Sequence, residues 1–168
     1  MSAPYRPRSL RSRLWKRRRY HLPPELTDAI VKRAFRGDPA MYQEFLDILR
    51  APSGYADIVL RGSSVTGESY RGHEAFDANG PGTSDLDMVL VGADAFRLWH
   101  PKAFYLRGVN TWPLSDKTAW VAPGLDPARR AAQELVGRPV NIQAMARWFL
   151  EIRAIVQGQH HVTLTQRE

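Results

Sequence analysis

The run DLDMVLVG, residues 85–92, leaves the chain little choice of conformation. It is apolar, carries two β-branched valines and stops at a glycine, so it reads as a strand. Successive strand side chains point to opposite faces. Asp85, Asp87, Val89 and Val91 therefore share one face, while Leu86, Met88 and Leu90 share the other, which must be core. The aspartates point the same way, with Cα atoms roughly 7 Å apart at about 3.3 Å of rise per residue. Two anions on one sheet face raise each other's pKa unless a positive charge stands near. Such a pair taken alone is most simply a loop end and a surface ion pair. It is also a spacing at which two carboxylates converge on one small cation. Mg²⁺ takes its oxygen ligands from one or two carboxylates, phosphates and water.

A second element lies upstream. DIVLRG, residues 57–62, reads as a short, largely buried strand, and Gly62 and Ser63 follow it directly. Glycine allows a backbone to approach a phosphate closely. Amides of the following turn, Ser63 and Ser64, can then donate to phosphate oxygens. Thr66 is a further hydroxyl in reach, and as a lone feature this run is a turn. A strand ending in Gly-Ser-Ser and a second strand opening with Asp-x-Asp together supply a phosphate cradle and a ligand pair for the cation that bridges phosphates.

Helical signals surround these strands. Pro23 and Pro24 open a helix with Leu26, Ile30, Val31 and Phe35 at helical spacing. Asp38 and Pro39 start another, carrying Met41, Tyr42, Phe45, Ile48 and Leu49 on one stripe. DPARRAAQELVG is the clearest helix, with Asp126 as cap, Pro127 at the start and Gly137 as stop. RPVNIQ, residues 138–143, reads as a third strand, and AMARWFLEIRAIVQG as a closing helix with Met145, Phe149, Ile152 and Val156 on one face. Residues 100–124 show no period. Trp99, Phe104, Tyr105, Trp112 and Trp120 around them read as core more readily than as base-stacking surfaces. The order predicts an α/β (α+β) fold, with a small mixed sheet of about three to five strands flanked by helices.

With 168 residues the chain suits one domain, expected over 23–157 between a basic arm, 1–22, and a polar C-terminal tail, 158–168. His160 and His161 fall in that tail and read as tail composition rather than a metal site. No cysteine is present, which excludes disulfides and thiolate metal sites. No window is long and apolar enough for a membrane span, and the expectation is a cytoplasmic protein with no membrane partner. The formal charge of +7 is uneven: residues 1–20 hold 8 of the 24 basic residues and no acid. The other 16 basic residues face all 17 acids, so the rest of the chain is near −1. The arm suits nucleic-acid phosphates by counterion release. A solvated arm or a targeting segment fits the same composition.

Leu60, Gly62, Ser63, Asp85, Leu86 and Asp87 together resemble the signature of the nucleotidyltransferase superfamily with the DNA polymerase β-like fold. The run RGSSVTG…FDANGPGTSDLDMVLVG is similar to bacterial nucleotidyltransferase-domain proteins, some standalone and some associated with toxin systems. The likeness spans about residues 56–92, and 126–145 more loosely. It implies Mg²⁺ (or Mn²⁺) held by Asp85 and Asp87, and a nucleoside triphosphate held at Gly62, Ser63 and Ser64. It implies nucleotidyl transfer to a hydroxyl of RNA, protein or a small molecule, with pyrophosphate as the leaving group. Arg61, Arg71, Lys102 and Arg107 are candidates for neutralising phosphate charge.

The chain departs from that pattern twice. The segment ESYRGHEAFDANGPG lengthens the link from Ser63 to Asp85 and is expected to form a flap or hairpin beside the site. The superfamily's third carboxylate falls at Asn141, whose amide can coordinate a cation but accepts no proton at neutral pH. Asp57, Asp116 and Glu134 are the substitutes by composition alone. A nucleotide- or nucleic-acid-binding module without catalysis, and a toxin-like effector held by a partner protein, remain the alternatives. Removing residues 1–20 is expected to weaken RNA or DNA binding and flatten its salt dependence, measured by fluorescence anisotropy over a salt series. Unchanged affinity would mark the arm as a leader or solubility feature.

Overall fold

The computed structural model describes residues 22–69 and 72–165; residues 1–21 of the basic arm lie outside them. The elements run α1 (Pro24–Ala34), α2 (Pro39–Ser53), β1 (Asp57–Arg61), α3 (Ser63–Thr66), β2 (Leu86–Val91), α4 (Ala93–Phe96), β3 (Phe104–Leu106), β4 (Asn110–Thr111), α5 (Asp126–Val136), β5 (Val140–Met145), α6 (Arg147–Gln157) and β6 (His161–Thr165), with a 3₁₀ turn at Ala119–Val121. The fold is mixed α+β, as expected. Among the described residues no helix is long and apolar enough to cross a membrane.

Among the described residues the sheet has six strands in the order β3-β4-β5-β2-β1-β6, more than the three to five expected. Two of the additional strands, β3 and β4, come from the segment without a period and are only three and two residues long. The sixth, β6, comes from the expected polar tail and pairs antiparallel with β1. HVTLT alternates polar and apolar residues, but a register shift opposite Ile58 and Val59 breaks the matching alternation of burial along it. The two central strands, β5 and β2, are parallel, and β2 and β1 are antiparallel.

One face of the sheet carries Ile58, Leu60, Leu86, Met88, Leu90, Val140, Ile142 and Ala144 into the main core. Helices α1, α2 and α5 supply Ile30, Phe35, Phe45, Leu49, Ala132 and Val136 to it. The opposite face is divided. Val59, Val89, Val91 and Met145 pack with Leu150 of α6 in a second, smaller cluster, while the polar residues gather at the other end of the same strands. Met145 therefore belongs to β5 rather than to the closing helix. Ile152 and Val156, expected on that helix's packed face, are exposed.

Local chemistry explains the helix ends. The Asp38 carboxylate accepts from the amides of Ala40 and Met41, as an N-cap does. Gly137 ends α5 in the left-handed conformation. Asp126 is not the cap of α5, a position held by Leu125. Its carboxylate instead accepts from Arg129 Nε at 2.8 Å and Arg130 Nε at 2.7 Å. Arg129 is fully buried and also donates to Asp116 at 2.8 Å, Gln133 at 3.0 Å and the Val140 carbonyl at 3.4 Å. Gln133 in turn accepts from the Val140 amide at 3.1 Å. This network ties α5 to the first residue of β5, immediately before Asn141. Arg129→Ala leaves the nearly buried Asp126 short of a partner, and a urea melt should record a loss of roughly 3–5 kcal/mol.

Candidate functional site

The pairing register builds the site. Arg61 of β1 stands opposite Asp87 of β2, and Asp87 stands opposite Asn141 of β5. Cross-strand partners share a face, so these three side chains form a row, with Asp85 just beyond the start of β2. Asn141 Nδ2 donates to Asp85 Oδ2 at 2.6 Å and lies 3.5 Å from Asp87 Oδ1. Asn141 therefore joins both aspartates.

The turn after β1 completes the group. Gly62 adopts φ 83° and ψ −155°, a conformation that side chains strongly disfavour. A Cβ built there would lie 3.6 Å from Asp87 Oδ2. The Gly-Ser turn and the carboxylates are thus in van der Waals reach of each other. Ser63 and Ser64 open the one-turn helix α3, whose geometry leaves its first amides without helical acceptors. Arg33 of α1 holds that turn from behind, donating to the carbonyls of Ser64 and Val65 at 2.9 Å each. The Ser64 side chain is buried and donates to the Arg61 carbonyl at 3.2 Å, so only its amide can serve a ligand.

Two clefts meet at the row. A cleft of about 660 Å³ lies over Gly62, Ser63, Thr66, Asp85 and Asp87, walled by Glu68, Ser69 and His73 and by Gly158, Gln159 and His160. A smaller one of about 250 Å³ lies over Asp87, Asn141 and Gln143, with Met88, Pro113 and Ser115. Arg61 lines both. The lengthened segment before Asp85 thus forms one wall of the larger cleft. His160 forms another, although it reads as tail from the sequence. Its backbone carbonyl also accepts from the Gly62 amide at 3.2 Å.

A clamp fixes the chain entering Asp85. Arg138 donates to both carboxylate oxygens of Asp77 at 2.9 Å and to the Ser84 carbonyl at 3.1 Å. The Asp77 carboxylate also accepts from the amides of Ser84 and Gly82. Burial pushes the Asp77 pKa up, but Arg138 and those amides outweigh it and hold the carboxyl below its usual range. Asp77 and Arg138 are 61 residues apart, and no sequence period links them.

Electrostatics distinguish Asp87. Burial, then the neighbouring Asp85, push its pKa up; Arg61, the Asn141 hydrogen bond and Arg153 only partly offset this. Burial likewise lowers the Arg61 pKa, partly opposed by Asp87. The donor set of two carboxylates and an amide is all oxygen on the acceptor side, which suits a hard cation such as Mg²⁺ or Mn²⁺. A cation ligand role requires Asn141 to present Oδ1 rather than the Nδ2 it now turns to Asp85. Among the described residues no group of three or more His, Cys, Asp and Glu could hold a metal, so no further carboxylate joins the pair.

The other sequence candidates separate from the site. Asp57 pairs with Arg147 at 2.5 Å, Asp116 with Arg129, and Glu134 is exposed on α5. Lys102 and Arg107 line neither cleft. Arg71 lies outside the described residues. Trp99 is buried and donates from Nε1 to the Trp112 carbonyl, Phe104 and Trp112 pack at the core edge, and Tyr105 and Trp120 are exposed. None of them lines either cleft. The sequence offers no sign of Arg153, a residue of α6 that donates to Gln157 and whose charge acts on Asp87 from a distance. No family model matches the chain, and neither a curated protein nor a solved structure matches it.

The raised Asp87 pKa fixes a direction. The folded state holds that proton more tightly than the unfolded one. The contribution of Asp87 to stability is thus fully present below the ordinary carboxylate pKa of ~3.9 and is lost as pH rises through the raised folded value. Asp87→Asn removes that loss. Without added divalent ions, it should raise Tm at pH 7 and leave it nearly unchanged at pH 3, as read by circular dichroism.

Proposed function

We propose that the chain is a metal-dependent nucleotidyltransferase with a polymerase β-like sheet, and that the larger cleft receives a nucleoside triphosphate. The adjacency of Gly62 to Asp87, with 3.6 Å from a built Cβ to the carboxylate, carries this reading. It sets amides suited to phosphate oxygens beside carboxylates suited to a divalent cation. A volume of about 660 Å³ is ample for a nucleotide. The mixed sheet, with β1 antiparallel and β2 parallel to its neighbour β5, supports the same reading.

Asp85 and Asp87 hold Mg²⁺ or Mn²⁺ in this reading, with the Asn141 amide oxygen as a neutral third donor. A cation held there would supply positive charge to the reacting phosphate. The amides of Ser63 and Ser64 hold the outer phosphates, and the Gly62 backbone permits their approach. An acceptor hydroxyl attacks the α-phosphorus in line, its proton passes to water, and pyrophosphate leaves on the opposite side. Phosphoryl transfer rests mainly on positioning and charge neutralisation, so a site without a protein base is compatible with turnover.

A second reading is favoured by one observation. Asn141 occupies the register position opposite Asp87, where the resemblance calls for a proton-accepting carboxylate. On this reading the chain binds nucleotide without transferring it. Titration calorimetry with ATP, CTP, GTP and UTP, with and without Mg²⁺, separates the two, since binding without turnover selects the second. For the first, the double variant Asp85→Ala/Asp87→Ala should keep its circular dichroism spectrum. It should lose Mg²⁺-dependent incorporation of a labelled nucleotide into protein or RNA. Activity unchanged by that double substitution would overturn the metal assignment.

A further inference from the structure

The charge around the two aspartates is unusual for a site that handles phosphates with carboxylates. Arg61 stands in the same row as Asp87 and Asn141, one strand away on β1. Its guanidinium is not turned to solvent. Nη2 donates to Gln143 Oε1 at 2.6 Å, and Nη1 lies 4.0 Å from Met145 Sδ. Gln143 is itself buried and donates to the Thr111 carbonyl at 2.9 Å. The guanidinium is therefore held across the sheet by a side chain that is held in turn. A guanidinium has five N–H donors, and this one lines both clefts. Donors beyond those turned to Gln143 and Met145 can reach a ligand in either. Arg153 adds a second positive field at Asp87.

We propose that the site takes one divalent cation, and that the Arg61 guanidinium stands in place of a second and donates to the bound triphosphate. This deepens the nucleotidyltransferase reading and rests on it. Two divalent ions bring four positive charges to within about 4 Å of each other, and need anionic ligands to match. Asp85, Asp87 and Arg61 together carry a net charge of −1, and Asn141 adds none. Among the described residues no third carboxylate joins Asp85 and Asp87, so the protein offers a second ion no carboxylate of its own, and the Arg61 charge stands against it. Arg61 is also the residue directly before Gly62, so the guanidinium and the phosphate-facing amides come from one turn. Arginine suits the role, since its planar fork pairs with phosphate oxygens two at a time.

The test uses the full chain with α,β-methylene-ATP, which resists cleavage, and Mn²⁺ counted by electron paramagnetic resonance. The expected result is one Mn²⁺ per chain in the ternary complex. Arg61→Gln should bind the analogue roughly ten- to a hundredfold more weakly, and Arg61→Lys should recover part of that loss. Asn141→Asp alone should still hold one Mn²⁺, whereas Arg61→Gln/Asn141→Asp should hold two. Thermal melts establish that each variant is folded, and the neutral Arg61→Met with Asn141→Asp takes the double variant's place if that one is not. Two Mn²⁺ in the unaltered chain, undiminished nucleotide affinity in Arg61→Gln, or a single Mn²⁺ in the folded double variant would each overturn the inference while leaving the nucleotide reading intact. An unaltered chain that binds neither Mn²⁺ nor the analogue would overturn both.

Discussion

The parallel pairing of β2 with β5 brings Asn141 opposite Asp87, and the hydrogen bonds by which Asn141 joins the two aspartates inherit their geometry from that register. A slip of one residue would turn Asp87 into the main core and Leu86 onto the polar face. The apolar alternation of β2 alone opposes such a slip. Two networks add to it from opposite sides. Arg138 and Asp77 clamp the chain entering β2 to the residues before β5. Arg129 and Gln133 anchor α5 to the backbone of Val140. Both networks bury arginines in fixed hydrogen-bond geometry, which makes their removal costly and their alternatives few.

The sheet keeps its two kinds of work apart. One face is apolar throughout and holds three helices, so it supplies the burial that offsets the cost of ordering the chain. The other face changes character along its length. Under α6 it is apolar, with Val59, Val89, Val91 and Met145; one row further it carries Arg61, Asp87 and Asn141. Asp87 is partly desolvated there and stands beside Asp85, and its raised pKa records the cost. A site that destabilises its own empty form is strengthened by whatever neutralises it. The same desolvation makes a bound cation or phosphate interact more strongly than it would at an open surface.

The strand DLDMVLVG, the Gly-Ser turn and three of the helices were legible because each follows a local rule: alternation, a glycine where a backbone must bend, a proline or aspartate where a helix begins. The site was half legible for the same reason. Asp85, Asp87 and Gly62 carry their roles in their own neighbourhood of the chain, and Asn141 emerged from the strand pattern of RPVNIQ. The short β3 and β4 are not legible, because too few residues alternate to make a period, and the alternating HVTLT of β6 sits in a stretch whose composition reads as polar tail. Trp99 and Trp120 look alike in the sequence, yet one is buried and the other exposed. Only the packing of residues 100–124 against the sheet separates them.

The sequence by itself determined that two carboxylates share a strand face and that a glycine turn precedes them, since both depend on residues a few positions apart. The tertiary structure alone decided what surrounds them. Arg61 meets Gln143, Arg138 meets Asp77, and His160 reaches the site from the last strand's approach. Each of those meetings joins residues 50 or more positions apart, or brings a tail onto a strand. Hydrophobic period cannot encode them, because they are set by strand order and register, which exist only once the sheet has closed.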